Sequence, residues 1–144
     1  LGLLAEWVAA ELQDAQPEPP LRLDVQDGLG VVGDERLLKL LLQQLLRNAR
    51  QFAGGGEARV EIAGERQGDA LHLRVRDRGI GFDMAHAGKL FQPFQRLHGR
   101  DEGAGDGLGL AIAQRVAARH RGALSAEARP GDGATFHVVL RDAQ

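Results

Sequence analysis

Two pairs of short alternating segments constrain the fold of this 144-residue chain more than any other feature. Arg59 to Ala63 and Ala70 to Val75 flank the turn residues Gln67-Gly68-Asp69. Ala123 to Ala128 and Ala134 to Leu140 flank Pro130-Gly131-Asp132-Gly133. Each pair reads as a β-hairpin. Hairpin strands pair antiparallel, which excludes a doubly wound parallel sheet. Leu21, Leu23 and Val25 alternate with Arg22 and Asp24 as another strand. After the Asp27-Gly28 turn, Leu29 to Val32 reads as one more short strand.

Three helices accompany these strands. Leu3, Leu4, Trp7, Val8 and Leu12 recur at helical spacing over residues 2 to 13, and Pro17, Pro19 and Pro20 end that helix. Asp34 has the position of an N-cap for a helix from about Glu35 to Phe52, stopped by Gly54-Gly55-Gly56. Its leucines, from Leu37 to Leu46, exceed one face, so deep packing is expected. Leu108 to Arg121 forms the third helix, with Leu108, Ala111, Ile112 and Val116 on one face and Gly122 as its C-cap. Residues 77 to 107 show no sustained period. The order predicts a two-layer α/β sandwich: one domain over residues 1–144, a mixed, mostly antiparallel sheet with helices on one face. The other face is expected to be polar or covered by a partner. Because the first residue is Leu, a fragment of a longer chain is expected.

Composition removes several functions. Net charge is −2, Tyr is absent and aromatics are 4%, so neither a basic field nor a base-stacking platform supports nucleic-acid binding. With no Cys there is no thiol catalysis or Cys-based zinc site. His72, His86, His98, His120 and His137 lack metal-ligand spacing, and His72 and His137 read as strand-face residues. No apolar run approaches the ~20 residues that span a bilayer, and the first twelve residues do not form a signal peptide.

Two clusters among the 20 glycines could carry chemistry. Asp77-Arg78-Gly79-Ile80-Gly81 follows a strand directly. Two glycines there let backbone approach a planar ligand, and the carboxylate can accept from an exocyclic amine such as that of adenine. The alternative is a tight turn with a local Asp hydrogen bond. Gly103, Gly105, Gly107 and Gly109 alternate into the third helix. Exposed N–H groups and the positive helix end make an anion cradle, although the segment lacks the Gly-Lys-Ser/Thr of a P-loop; a plain loop entering a helix is the alternative. Asn48, with Gln44 one turn earlier, is a polar residue in an apolar helix. An amide carbonyl suits Mg²⁺ that takes the rest of its shell from water and phosphates; a buried Asn bonded to backbone is the alternative.

Together these segments resemble the catalytic and ATP-binding domain of sensor histidine kinases, within the ATPase superfamily that includes DNA gyrase, Hsp90 and MutL. LLQQLLRNARQF resembles the asparagine box, VRDRGIGF the first glycine box, LFQPFQRLHG the phenylalanine box, and GAGDGLGLAIAQRVAARHRG the second glycine box with its helix. The segment PFQRLHGRDE is similar to that of phytochrome-type kinases. The resemblance implies the Bergerat ATP-binding fold, with ATP and Mg²⁺ as ligands. It implies Asn48 at the metal and Asp77 at adenine. Phe52, Gly79, Gly81, Phe91, Phe94, Gly105, Gly107, Leu108 and Gly109 would complete the nucleotide site, while Gln44, Arg96 and Arg100 would act with Asn48 in phosphoryl transfer. The implied partners are a dimerising helical domain that carries the acceptor histidine and a response-regulator receiver domain. The full-length protein would then be a cytoplasmic homodimer and this fragment a monomer. Three positions depart from the family's usual residues: Gln44, Gln51 and Asp106. On Gln51 and Asp106 rests a rival reading, a nucleotide-binding regulatory module with weak or no phosphoryl transfer.

Overall fold

The structure, a computed structural model, describes residues 1–17, 20–51, 57–79, 109–128 and 131–142. The described elements are α1 (Gly2–Ala15), β1 (Leu21–Val25), α2 (Glu35–Gln51), β2 (Ala58–Gln67), β3 (Ala70–Asp77), α3 (Gly109–Arg119), β4 (Ala123–Ala128) and β5 (Ala134–Arg141). The five strands form one sheet in the order β1-β2-β3-β5-β4. Only β1 and β2 run parallel. This is the mixed, mostly antiparallel sheet expected from the two hairpins.

Period-two alternation divides the sheet into two unlike faces. Val60, Ile62, Leu71, Leu73, Val75, Phe136, Val138 and Leu140 point inward and are buried. Against them packs α2, whose Leu38, Leu41, Leu42, Leu45, Leu46 and Ala49 are all buried. Leu37 and Leu40 are partly buried on the same core, so the helix is apolar beyond one face because other helices cover its flanks. The opposite sheet face is polar. It carries the Arg74–Glu65 and Arg78–Glu61 ion pairs, and His72 and His137 lie on it as strand-face residues. Among the described residues, no helix is long and apolar enough to cross a membrane.

Local signals explain where elements start and stop. Asp34 Oδ1 accepts from the N–H groups of Arg36 at 2.9 Å and Leu37 at 3.3 Å, the expected N-cap. The turn between β2 and β3 is two residues long, with Gly68 at φ +62°. That register carries β2 on to Gln67, well beyond the expected end at Ala63. Two glutamine side chains act as substitute strand neighbours. The Gln13 amide donates to the Leu21 carbonyl at 3.0 Å and its oxygen accepts from the Leu21 N–H at 3.4 Å. The Gln26 amide does the same for the Gly64 carbonyl and N–H, at 3.1 and 3.3 Å.

Three expectations need correction. Leu29 to Val32 is not a strand. Its backbone is satisfied by side chains instead: the Val32 N–H donates to Asp142 Oδ1 at 2.9 Å, and the Gly30 carbonyl accepts from Arg66. The third helix buries Leu110, Ala113, Val116 and Ala117, with Ala111 and Ile112 only half-buried. Its inward face is therefore rotated from the one expected, because α2 and β4 cover it from two sides. Finally, the residue in the left-handed conformation after α3 is Arg121, at φ 55°, not Gly122. The Gly122 N–H reaches back to the Ala117 carbonyl and the Arg121 N–H to that of Ala118, a Schellman turn. Gly122 is required for a different reason: a Cβ there would sit 1.6 Å from the Val139 carbonyl oxygen.

Gly122→Ala should therefore cost at least about 2 kcal/mol, since backbone of β5 must give way. Urea unfolding checks this. Gly68→Ala, which meets nothing within 4 Å despite its positive φ, should cost less.

Candidate functional site

Strand register sets which residues meet at one end of the sheet. Asp77 is the last residue of β3 and pairs with Val60 of β2 and Ala134 of β5. Its side chain is in phase with Leu71, Leu73 and Val75, so the carboxylate faces the helix layer and is only 4% exposed. The carboxylate Oδ1 accepts from the Gly79 N–H at 2.9 Å. The backbone N–H of Ala134, its ladder neighbour on β5, also favours the charged form of the carboxyl. Burial pushes the Asp77 carboxyl above its ordinary value, against the opposing pull of those two N–H groups. Its neighbour Arg78 turns the other way and binds Glu61 at 3.1 Å on the polar face.

The helices bring a second set of residues to the same end. The Arg141 N–H donates to the His120 carbonyl, which fixes the C-terminus of α3 at the Arg141 end of β5. With 11 residues, α3 runs about 16 Å from there toward the end that holds Ala134 and Asp77. The first residue of α3, Gly109, lies against Gln44 of α2: a Cβ on Gly109 would sit 2.9 Å from Gln44 Oε1. Asn48 follows one turn later on α2, half-buried like Gln44. A helix N-terminus, two amides and a desolvated carboxylate thus frame one end of the molecule. The helix dipole favours an anion there, and the carboxylate offers an acceptor to an amine.

The structure thus brings Gln44 and Gly109 together, and likewise Asp77 and Gly79. Phe52, Gly81, Phe91, Phe94, Arg96, Arg100, Gly105, Gly107 and Leu108 lie outside the described residues, as does Asp106. Among the described residues no cluster of three His, Asp or Glu side chains could hold a metal by itself. Sequence reasoning missed Gly133 and Ala134. It read Pro130-Gly131-Asp132-Gly133 only as a hairpin turn, and the pairing of β5 with β3 that places this turn beside Asp77 has no local signature. At the far end of α2, Leu1, Leu4, Trp7, Val31 and Leu38 line a cleft of about 360 Å³ that includes none of the expected site residues.

Three comparisons bear on this geometry. The model of the family described as histidine kinase-, DNA gyrase B- and HSP90-like ATPase matches residues 33–144. Phytochrome-like protein Cph1 of Synechocystis sp. is 38% identical over 131 residues, covering 91% of this chain and 18% of that protein. Sensor-like histidine kinase SenX3 of Mycobacterium tuberculosis is 37% identical over 136 residues, covering 92% of this chain and 32% of that protein. The chain thus spans less than a third of the length of these relatives. Among solved structures, the mycobacterial sensor histidine kinase MprB superimposes with a TM-score of 0.80 at 24% identity, over 97% of this chain and 94% of that one. That likeness concerns the fold and matches the five-stranded sheet and its helix layer.

Asp77 gives the site a pH signature. An acid whose folded-state value is raised stabilises the fold most below its ordinary value of 3.8, and that contribution is lost as pH climbs through the raised value. At pH 7 and without ligand, Asp77→Asn should therefore be more stable than the wild type. The advantage should shrink as pH falls into that window. Urea midpoints measured against pH check this, and a less stable variant at neutral pH would contradict it.

Proposed function

The chain belongs to the histidine kinase-, DNA gyrase B- and HSP90-like ATPase family, and from that membership we propose that it is the ATP-binding catalytic part of a sensor histidine kinase. The observation that carries this reading is the Asp77 carboxylate, buried at a strand end in the family-matched region with the Gly79 N–H as its hydrogen-bond partner. A desolvated carboxylate gains most from a ligand that donates a hydrogen bond, and the adenine amine is such a donor. The likeness to Cph1 and SenX3 supports a place in two-component signalling.

In this reading Asp77 selects the base, and Gly79 and Gly81 let backbone lie close to its ring. Phe52, Phe91 and Phe94 supply apolar surface around the nucleotide. Gly105, Gly107, Leu108 and Gly109 lead into the N-terminus of α3, whose N–H groups attract the phosphates. Arg96 and Arg100 bind β- and γ-phosphate oxygens as charged donors. Asn48 offers a hard oxygen, and Gln44 is close enough on α2 to orient the same region. These donors fit Mg²⁺ only as part of a shell completed by phosphates and water. Bound there, magnesium would neutralise phosphate charge during transfer.

The chain's residues thus position and polarise ATP, and most catalysis of phosphoryl transfer comes from that positioning. The bond from the γ-phosphorus to the ADP oxygen breaks and one to an imidazole nitrogen forms. The acceptor histidine lies on a separate helical domain, which passes the phosphoryl group to an aspartate of a response regulator. None of the five histidines here lies in a phosphoacceptor-like sequence.

Asp77→Asn should lose ATP and ADP binding together, by roughly 10- to 100-fold, the worth of a hydrogen bond to a charged group. Unchanged ADP affinity by calorimetry would sink the adenine assignment. Asn48→Ala should weaken Mg-ATP far more than metal-free nucleotide; equal losses would make Asn48 a structural residue.

A further inference from the structure

Gly109 is glycine for a reason that its own backbone does not supply. It is the first residue of α3, and its φ lies outside the left-handed region that Gly28, Gly68, Gly131 and Gly133 adopt. In an ordinary helical conformation alanine is the better residue, and α3 uses it at Ala111, Ala113, Ala117 and Ala118. What stands where a side chain would be is the end of Gln44, reaching across from α2. A Cβ on Gly109 would lie 2.9 Å from Gln44 Oε1 and 4.0 Å from its Cδ. Outside its own helix it would meet nothing else within 4 Å among the described residues. Gln44 is half-buried between Leu41 and Leu45, and among the described residues no hydrogen bond engages its amide. Its contact with Gly109 is therefore one of shape. That contact lies one helical turn from Asn48, at the end of α3 nearer Asp77.

We propose that Gln44 is a positioning residue: seated in the space that Gly109 leaves open, its side chain sets the separation between α2 and the first turn of α3. The first turn is thereby placed relative to Asn48. The proposal rests on the reading that the phosphates of a nucleotide lie at this end of α3. It gives Gln44 no contact of its own with phosphate or metal; the length and bulk of the side chain act, and the amide chemistry does not. A longer residue at 109 and a shorter one at 44 are then two ways of disturbing a single contact.

A double-mutant cycle tests this, read by calorimetry with ADP and with adenosine. Gln44→Ala empties the seat, and Gly109→Ala drives the amide out while keeping the Gly109 N–H. Each should weaken ADP about fivefold or more, as expected for residues in contact. Each should leave adenosine, which has no phosphate, within about twofold. Gly109→Ala should nonetheless unfold at no lower urea concentration than the wild type, because Gln44 Oε1 is the free end of a flexible side chain and alanine suits the helix. Lost affinity without lost stability is not what general loosening of the core produces. In the double variant the new methyl enters the vacated space, so ADP should bind no worse than to Gln44→Ala alone. Gln44→Met keeps the length and removes the amide, and should bring ADP affinity back to within about twofold of wild type. If Gln44→Met loses as much as Gln44→Ala, the amide itself touches the ligand and the proposal is overturned. Additive losses in the cycle, or an equal loss of adenosine, overturn it too. Asp77→Asn keeps the underlying reading separate: ADP affinity that survives it removes the adenine assignment and leaves the cycle to decide on Gln44. A wild type that binds no ADP overturns both.

Discussion

A carboxylate held out of water at the end of the central strand is the constraint around which the described structure is arranged. Burying Asp77 is unfavourable in itself, and two backbone N–H groups offset only part of that cost. The remainder is carried by the apolar core that continues the same strand face through Val75, Leu73 and Leu71. The register of β5 on β3 serves both ends at once. It sets Phe136, Val138 and Leu140 into the core and delivers Ala134 to the acid. A slip of one residue would expose the core face and move Ala134 away together. Stability and site geometry therefore depend on one ladder.

The far end of the sheet is built from different forces. Asp142 accepts from the Val32 N–H and from Arg66, while its own carbonyl accepts from Arg121. The His120 ring bonds the Val116 carbonyl through Nδ1 and lies so close to Gly33 that a Cβ there would be 2.6 Å from Nε2. These contacts tie the segment before α2 to the end of α3. Both helices are thus anchored at the end away from Asp77. The opposite end of α2, beyond Asn48, is tied to the end of α1, where the Arg50 guanidinium donates to the Leu12 and Gln16 carbonyls.

Local chemistry made much of this legible. The hairpins show in alternation and turn residues, α2 in its leucines, and its start in Asp34. The Asp77-Arg78-Gly79 sequence carries its own hydrogen bond, so a local reading finds it. The failures share one cause. Leu29 to Val32 has strand-like residues, but its backbone partners lie at Arg66 and Asp142. The buried face of α3 depends on which neighbours cover it. Gly122 and Gly133 are fixed by contacts with Val139 and Asp77, and nothing in their own neighbourhoods distinguishes them from ordinary turn glycines. Likewise, the nearness of Gln44 to Gly109 links residues far apart in the chain, and only the antiparallel packing of α2 and α3 reveals it.

The glutamine amide at the start of β1 bears on how copies of this domain behave in a crowded solution. An outer strand of a sheet exposes a row of donors and acceptors that another chain's strand can extend. Here Leu21 turns both its main-chain groups to Gln13, a side chain from α1, and so offers neither to a newcomer. The strand is also only five residues long, against ten for its partner β2. Covering that rung with an amide from the domain's own helix gives the sheet an ending, and so favours a molecule that remains separate over one that templates its own stacking.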